Sequence, residues 1–389
     1  MVRLSVPRQE FDRRQTELLD RADADGVVLF DALNIEYVSG MFHAASERPV
    51  ALGLTEDRVE AVVPRLEKAQ AEREEFEIDE VHVYFDYPQS DPMGLVAEMC
   101  QSLEIGNGTV VADADGSPPR NGYEGTALSQ RIPGAVVVED HITDMREVKS
   151  DTEIELIREA SRWANLGLNV LTGKIEPGRY PTIACQEAQA EAGKAMLDTL
   201  GAEYESTDRR PPIQCRFTTG DATVEPHTND ESTPVRAGDN IVSVVTSAIG
   251  GYQTELERTH IVGEPSDEQR EFFEIMKRSQ EIAFESMAAG VEYSAVEAAV
   301  TDYYEREGVA EYTQHHVGHN IGLEGHERPF LDTGYEGVLR AGELYTVEPG
   351  LYVPDVGGFR HSDTVVVTDD GIDRLTYFPR DLERLTIPV

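Results

Sequence analysis

The chain has 389 residues, and its 74 acidic side chains outnumber its 34 basic ones by 40. A chain of this length predicts two or three domains of about 100–200 residues each. A hydrophobic fraction of 40% is enough for packed cores, so an acidic disordered chain is excluded. The missing basic excess argues against binding of nucleic acid through its phosphates. No apolar run reaches the roughly 18 residues that a membrane-spanning helix needs.

Lysine is scarce, with five residues against 29 arginines. Few lysines and a large negative charge fit a protein kept soluble at very high salt, where charge repulsion is screened within about 3 Å at 1 M. An acidic protein from an ordinary environment is the alternative interpretation. The chain opens without a basic-then-apolar leader, and three cysteines without CxxC spacing predict neither a disulfide framework nor a zinc–thiolate site. We therefore expect a soluble, cytoplasmic protein.

The first 145 residues alternate between helix and strand patterns. Phe11, Leu18, Leu19 and Ala22 share one helical face. Short apolar runs bounded by polar residues predict strands at 26–30, 50–54, 61–63, 81–85 and 135–138. Residues 1–145 are therefore predicted to form a small mixed α/β domain.

A repeated pattern begins at Ser150. Ser150 and Glu153 form a capping box before an apolar helical stripe that ends at Gly173, and Thr182 opens a second helix through Met196. The same pattern returns 116 residues later. There the matching features are a capping box of Ser266 and Gln269, a helix that ends at Gly290, and a second helix capped by Ser294 that runs through Tyr304.

A second repeated feature follows each helical pair. The segment 235–239 precedes an apolar strand at 241–245, and the similar segment 339–343 precedes one at 344–347. Two matched features in the same order predict an internal duplication within residues 146–389. Each half would be two helices followed by antiparallel strands, an α+β arrangement with a cleft at a pseudo-twofold axis. Chance recurrence of common capping patterns is the alternative.

Residues suited to chemistry concentrate in the second half. Four of the ten histidines fall within twelve residues: His315, His316, His319 and His326. Histidine serves as a neutral metal ligand or as a proton carrier near pH 7. In a strand, Glu255 and Glu257 point to one face. Their apolar flanks at 244–245 and 261–262 favour a cleft position over a solvated one.

These motifs together resemble the M24, or pita-bread, superfamily, which includes Xaa-Pro aminopeptidases, prolidases, methionine aminopeptidases and creatinase. The resemblance rests on His227 and on four segments: 251–259, 315–327, 347–352 and 358–360. Residues 37–40 and 47–49 resemble the creatinase/prolidase N-terminal domain. The resemblance implies a hydrolase with a duplicated pita-bread domain at 146–389, preceded by the smaller domain at 1–145.

The metal ligands of the family are only partly present. Its peptidases bind two divalent ions through Asp, Asp, His, Glu and Glu, and these positions fall on Val244, Glu255, His319, Glu348 and Ser362. The duplication supports the first assignment, since Val244 follows Gly238 by six residues as Glu348 follows Gly342. Two ions need bridging carboxylates, so a dinuclear site is not expected. One Mn, Co or Zn ion held by Glu255, His319 and Glu348 is the remaining metal arrangement.

The first functional hypothesis is therefore metal-independent and needs no cofactor. By resemblance to creatinase, His227 would be the general acid and base, and Glu257 and Glu348 would polarise a small zwitterionic substrate whose C–N bond is cleaved. Arg48, lent by the second subunit of a homodimer, would clamp a substrate carboxylate. The further catalytic candidates are His319 and His326, and the further substrate-binding candidates are His315, Arg360 and Tyr252.

Two alternatives stay open. One is a metal-dependent Xaa-Pro dipeptidase or aminopeptidase with a reduced mononuclear site. The other is a non-catalytic pita-bread module that binds a peptide or a partner protein, against which the retained histidines argue. Within the first hypothesis, Ser46 stands where creatinase has an aromatic partner for its arginine, and Arg328 lies nearer than the further arginine of creatinase. A cyclic amidine such as ectoine is therefore an alternative to creatine.

Overall fold

The computed structural model describes residues 4–86, 89–204, 211–228 and 232–389. The chain divides into two compact units, Val6–Arg146 and Glu147–Val389, and the second unit also includes Leu4 and Ser5. The break falls next to the predicted boundary at 145/146. Among the described residues, no helix combines the length and the apolar character needed to cross a membrane.

The N-terminal unit is built around one mixed sheet. Its elements in chain order are α1 (Arg8–Ala22), β1 (Gly26–Leu29), α2 (Ala32–Ser39), β2 (Ala51–Leu54), β3 (Val59–Pro64), α3 (Lys68–Ala71), β4 (Glu80–Tyr84), α4 (Pro92–Ser102), β5 (Thr109–Ala112), β6 (Ala135–Val138) and α5 (His141–Glu147). The strand order is β4-β3-β2-β1-β5-β6. The five predicted strands are all present to within two residues, and the predicted helical face lies on α1. Side chains of β1, α4 and β5 form its main hydrophobic cluster, which includes Val28, Met99 and Val110.

The C-terminal unit contains two helix pairs and one long sheet. Its elements are α6 (Asp151–Thr172), α7 (Pro181–Leu200), β7 (Ile213–Thr219), β8 (Asn240–Ile249), β9 (Tyr252–Val262), α8 (Asp267–Ser286), α9 (Tyr293–Glu307), β10 (Gly318–Asn320), β11 (Glu327–Leu331), β12 (Leu344–Val347), β13 (Gly350–Val353), β14 (Gly357–Arg360), β15 (Ser362–Thr368), β16 (Gly371–Arg374), α10 (Leu382–Leu385) and β17 (Thr386–Ile387). The sheet runs β11-β10-β12-β15-β9-β8-β7, with β16 beside β15 and β17 beside β9. Strands β13 and β14 form a separate hairpin.

Both predicted capping boxes are confirmed. The side chain of Ser150 accepts from the Glu153 amide, and the Glu153 carboxylate accepts from the Ser150 amide. Ser266 and Gln269 make the same reciprocal pair. The two turns that precede β8 and β12 also match, since Gly238 and Gly342 both have a φ of 93°, a left-handed conformation that favours glycine.

Several predicted helix boundaries are wrong. Helix α7 begins at Pro181 rather than at Thr182 and runs to Leu200, past the predicted Met196, and α9 runs to Glu307, past the predicted Tyr304. Helix α8 ends at Ser286 rather than at Gly290, because Met287 is extended and the amides of Ala289 and Gly290 donate to Thr368 and Leu339 instead of continuing the helix. Ser294 does not cap α9. That helix begins one residue earlier, at Tyr293, with Glu292 at the cap position and no side-chain cap bond.

Candidate active site

Strands β8 and β9 carry the acidic wall of the site. Their antiparallel register places Val244 opposite Glu257 and Thr246 opposite Glu255. Side chains alternate between the two faces of a strand, so Val244, Glu255 and Glu257 share one face, and all three line the same cavity. Strand β15 adds Ser362, whose hydroxyl donates to Glu255 Oε1 at 3.1 Å.

The histidine wall comes from β10 and the strands beside it. In the ladder, His319 lies opposite Thr346 of β12 and Phe330 of β11. A side chain at Gly318 would overlap the carbonyl of Thr346, so only glycine permits this close approach. Glu348 directly follows β12, and its amide donates to the carbonyl of Val317 at 2.7 Å. This pairing brings Glu348 next to His319.

Three of the predicted metal ligands lie close together. The donor atoms of Glu255, His319 and Glu348 all lie within 4.8 Å of one another. The Nε2 atom of His319 is 3.1 Å from Glu348 Oε1. It is nevertheless buried without a well-formed hydrogen bond among the described residues. The other ring nitrogen, Nδ1, faces the carbonyl oxygen of Asn320 at 3.0 Å. When the ring is neutral, Nδ1 carries the hydrogen and Nε2 is left to bind a cation.

The three carboxylates of the site, Glu255, Glu257 and Glu348, are buried close together, and this shifts their pKa values. Burial, followed by the charges of Glu348 and Glu257, raises the pKa of Glu255. Burial also raises the pKa of Glu257, although Arg360 opposes the shift. Burial alone would raise the pKa of Glu348 too, but the contact with His319 holds it below its usual range. Carboxylates that are this buried and this close favour either a bound proton or a bound cation.

Glu257 has an ion-pair partner within the cavity. Its carboxylate accepts two hydrogen bonds from Arg360, one from Nη2 at 2.8 Å and one from Nε. The Nη1 atom of Arg360 donates to the hydroxyl of Tyr352 at 3.1 Å, and that hydroxyl is 2.7 Å from Nε2 of His315. The charge of Glu257 is therefore balanced within the protein. It is not available to polarise a cationic substrate.

The cavity has a volume of about 270 Å³ and mixes charged, aromatic and aliphatic walls. The imidazoles of His319 and His326 stack with their centroids 3.8 Å apart and their planes at 14°. The predicted site residues that line the cavity are His227, Glu255, Glu257, His315, His326, Glu348 and Arg360. His227 lies on an exposed part of its rim.

One predicted substrate-binding residue, Tyr252, does not line the cavity. It is three residues before Glu255 and so points to the opposite face of β9, where its hydroxyl donates to Glu153 at 2.8 Å. Arg48 belongs to the N-terminal unit, where it pairs with Glu47.

Sequence reasoning missed several residues that line the cavity, among them Arg216, Val242 and Tyr352. Arg216 lies on β7 opposite Val244 of β8. The alternating burial of β7 continues through Ile213, Cys215 and Phe217. The period-2 pattern of that segment was the signal that could have placed Arg216 on the same face as Thr218.

Comparison with known proteins agrees with this architecture. Residues 155–369 match the sequence model of metallopeptidase family M24, and residues 13–148 match that of the creatinase/prolidase N-terminal domain. An Xaa-Pro dipeptidase of Pyrococcus horikoshii is 28% identical over 369 residues, which cover 94% of this chain and 96% of that protein. A probable dipeptidase PepE of Mycobacterium bovis is 29% identical over 382 residues, covering 97% and 96%.

Solved structures show the same fold. An Xaa-Pro dipeptidase from Bacillus anthracis superposes with a TM-score of 0.80 at 25% identity, covering 98% of this chain and 99% of that one. The dipeptidase PepE of Mycobacterium ulcerans gives the same TM-score and identity, covering 99% and 100%. The predicted pita-bread domain and its N-terminal companion are thereby confirmed. The chain belongs to metallopeptidase family M24, and it is a hydrolase of that family.

Proposed function

We propose that the protein is a divalent-metal-dependent dipeptidase that hydrolyses the amide bond before proline in small Xaa-Pro substrates. One ion would be held by Glu255, His319 and Glu348. The observation that carries the proposal is the buried Nε2 of His319, which lacks a well-formed hydrogen bond yet lies against two carboxylates. The names of the similar dipeptidases support the substrate class.

This function is preferred over the metal-independent, creatinase-like hypothesis for two reasons. Glu257, which that hypothesis uses to polarise the substrate, is paired through two hydrogen bonds with Arg360. The family to which the chain belongs is a family of metallopeptidases. The expectation that no metal is needed is therefore not supported, and the alternative with a reduced mononuclear site replaces it.

The donor set suits one ion. Histidine nitrogens and carboxylate oxygens both bind zinc, and catalytic zinc sites use three protein ligands and leave a coordination position for water or substrate. Val244 offers no donor where the family's other aspartate would lie, and Arg216 on the neighbouring strand brings a positive charge to the same cavity wall. An ion bound there would polarise the scissile carbonyl and lower the pKa of its water.

The residues around this position have separate tasks in the proposal. Val242 and Val244 give the cavity an apolar wall that suits a pyrrolidine ring. Arg360 donates to Glu257 and Tyr352 and so holds both side chains in the cavity wall, and its predicted role in substrate binding stays a prediction. The small volume of the cavity favours dipeptides over longer chains. We further propose that residues 146–389 carry the chemistry.

His227 and His326 are the candidates for proton transfer. Both line the cavity. Burial is the main cause that lowers the pKa of His326, to about 4, followed by the charge of His319. His326 is therefore neutral at pH 7 and accepts a hydrogen bond more readily than a proton. A homodimer in which Arg48 reaches a neighbouring subunit, and a cytoplasmic location, stay predictions.

The test is an assay of the chelated enzyme with Ala-Pro and Ala-Ala, before and after addition of Mn, Co or Zn, beside creatine and ectoine. We expect metal-stimulated cleavage of Ala-Pro that is lost in His319→Ala. His82→Ala is the matched control, because it alters a second histidine–carboxylate cluster, in which Glu60 is already bonded to Ser102 and His82. Metal-free turnover of creatine or ectoine would contradict the proposal. Absence of turnover on every compound would favour the binding module.

A further inference from the structure

We propose that Lys149 is a positioning residue, whose one buried ammonium group fixes both the metal-binding His319 and the neighbouring His326. The inference rests on the proposed function, because it assigns Lys149 to the support of that site. Lys149 lies outside the cavity, two residues before α6.

The ammonium group is buried and bonded to two strands at once. Its Nζ lies 3.0 Å from Glu327 Oε2 and also donates to Oδ1 of Asn320. Lys149 is 4% exposed, Glu327 7% and Asn320 0%. Asn320 follows His319 on β10, and Glu327 follows His326 at the start of β11. A single cation therefore joins the residues next to both imidazoles.

The loop between these strands is closed around the ion pair. The second oxygen of Glu327, Oε1, accepts from the amide of Glu324 at 3.0 Å. A Cβ at Gly322 would lie 2.8 Å from Glu327 Oε1 and 3.0 Å from Cε of Lys149, so the pair packs on bare backbone. On the other side, the amide of Gln253 donates to the Gly322 carbonyl at 2.8 Å. His326 directly precedes Glu327 at the end of this loop, and its imidazole stacks on that of His319.

The backbone of Lys149 reaches the third ligand. Its amide donates to the carbonyl of Gly342 at 3.0 Å, in the turn that leads into β12 and from there to Glu348. The neighbouring Val148 makes an isolated β-bridge with Glu343. On the β10 side, the Asn320 carbonyl accepts from Nδ1 of His319, which orients the ring. Lys149 thus contacts the segments that carry His319, His326 and Glu348, although it touches none of those side chains.

A buried ion pair is costly to break from one side, since the remaining charge loses its counter-charge. Loss of the ammonium group should therefore release Glu327 and its loop. The first consequence is a less ordered 318–331 segment, and the second is weaker metal binding, because partners that orient metal ligands typically contribute about 10–100-fold in affinity.

The experiment compares Lys149→Met with the wild-type protein and with Lys174→Met, which removes the partner of the exposed Glu191. Hydrogen exchange followed by mass spectrometry on the chelated protein reads the order of segment 318–331. Titration with Co²⁺ reads the Kd, and the visible Co²⁺ spectrum reads the ligand geometry. We expect faster exchange confined to 318–331, a Kd weakened by about 10–100-fold and an altered spectrum in Lys149→Met, with none of these in Lys174→Met.

Gly322→Ala is the second variant. Its added methyl group forces the ion pair apart without deleting a charge, so it tests the role of Lys149 even if Lys149→Met does not fold. Unchanged exchange of 318–331 in the folded variants, or exchange that rises evenly through the C-terminal unit, would overturn the inference. The exchange measurement needs no metal. A wild-type protein that binds no ion would therefore refute the proposed function, while the exchange data would still decide the role of Lys149.

Discussion

Arg258 and Asp363 form a buried ion pair next to the site, since Arg258 follows Glu257 on β9 and Asp363 follows Ser362 on β15. Both side chains are fully buried, and Nη2 of Arg258 is 2.9 Å from Asp363 Oδ1. Arg258 also donates to the carbonyls of Glu257, Ser362, Phe378 and Pro379, so it ties β9 to β15 and to the C-terminal segment. We predict that Asp363→Asn lowers the free energy of unfolding by about 3–5 kcal/mol, because it leaves a guanidinium charge buried without its counter-charge.

The assay is urea unfolding followed by the fluorescence of Trp163, the single tryptophan, which lies on α6 in the same unit. Asp373→Asn is the matched control. Asp373 pairs with Arg158 at 2.8 Å, but the two side chains are 46% and 40% exposed. Such pairs contribute at most about 1 kcal/mol. If Asp363→Asn lowered the free energy of unfolding as little as Asp373→Asn, burial would not determine how much an ion pair contributes, and the prediction would be refuted.

Three further predictions follow from the charges of the chain. Burial lowers the pKa of His43 to about 4, so the unfolded chain binds the proton more tightly and the contribution of His43 to stability should fall by about 3 kcal/mol between pH 6.5 and 4. His43→Gln should flatten that loss in thermal melts, and an unchanged pH profile would contradict the assignment. Val244→Asp combined with Ser362→Glu should raise the number of Co²⁺ ions bound per chain in calorimetry from one to two. A value still at one would mean that the missing carboxylates are not what limits the site to one ion. Because the net charge is −40, KCl raised to 1 M should increase the melting temperature by screening repulsion, and a decrease would argue against a high-salt protein.

Much of the fold was predictable because its signals are local. The two capping boxes at Ser150 and Ser266 need only residues three positions apart, and both are formed. The left-handed turns at Gly238 and Gly342 extended that local repeat to the strands and aligned Val244 with Glu348. The end of α8 was not predictable, because the amides of Ala289 and Gly290 donate to Thr368 and Leu339, which are about 50–80 residues further along the chain.

The residues of the candidate site also include some that could be predicted from the sequence and some that could not. Glu255, His319 and Glu348 could be named from motifs, and the structure brings their donor atoms together. The pairing of Glu257 with Arg360 spans 103 positions, and no local pattern indicates it. That pairing changes the chemistry, because it removes a free carboxylate on which the metal-independent hypothesis depends. The orientation of Tyr252, in contrast, was predictable from strand alternation with Glu255.

The central claim is that one divalent ion binds between Glu255, His319 and Glu348. Crystals of the chelated protein soaked in manganese, with anomalous data collected above the manganese edge, test it most directly. We predict one strong peak per chain, adjacent to Nε2 of His319 and to carboxylate oxygens of Glu255 and Glu348. Two peaks in the cavity, or no peak from a protein that still hydrolyses Ala-Pro at its full rate, would contradict it.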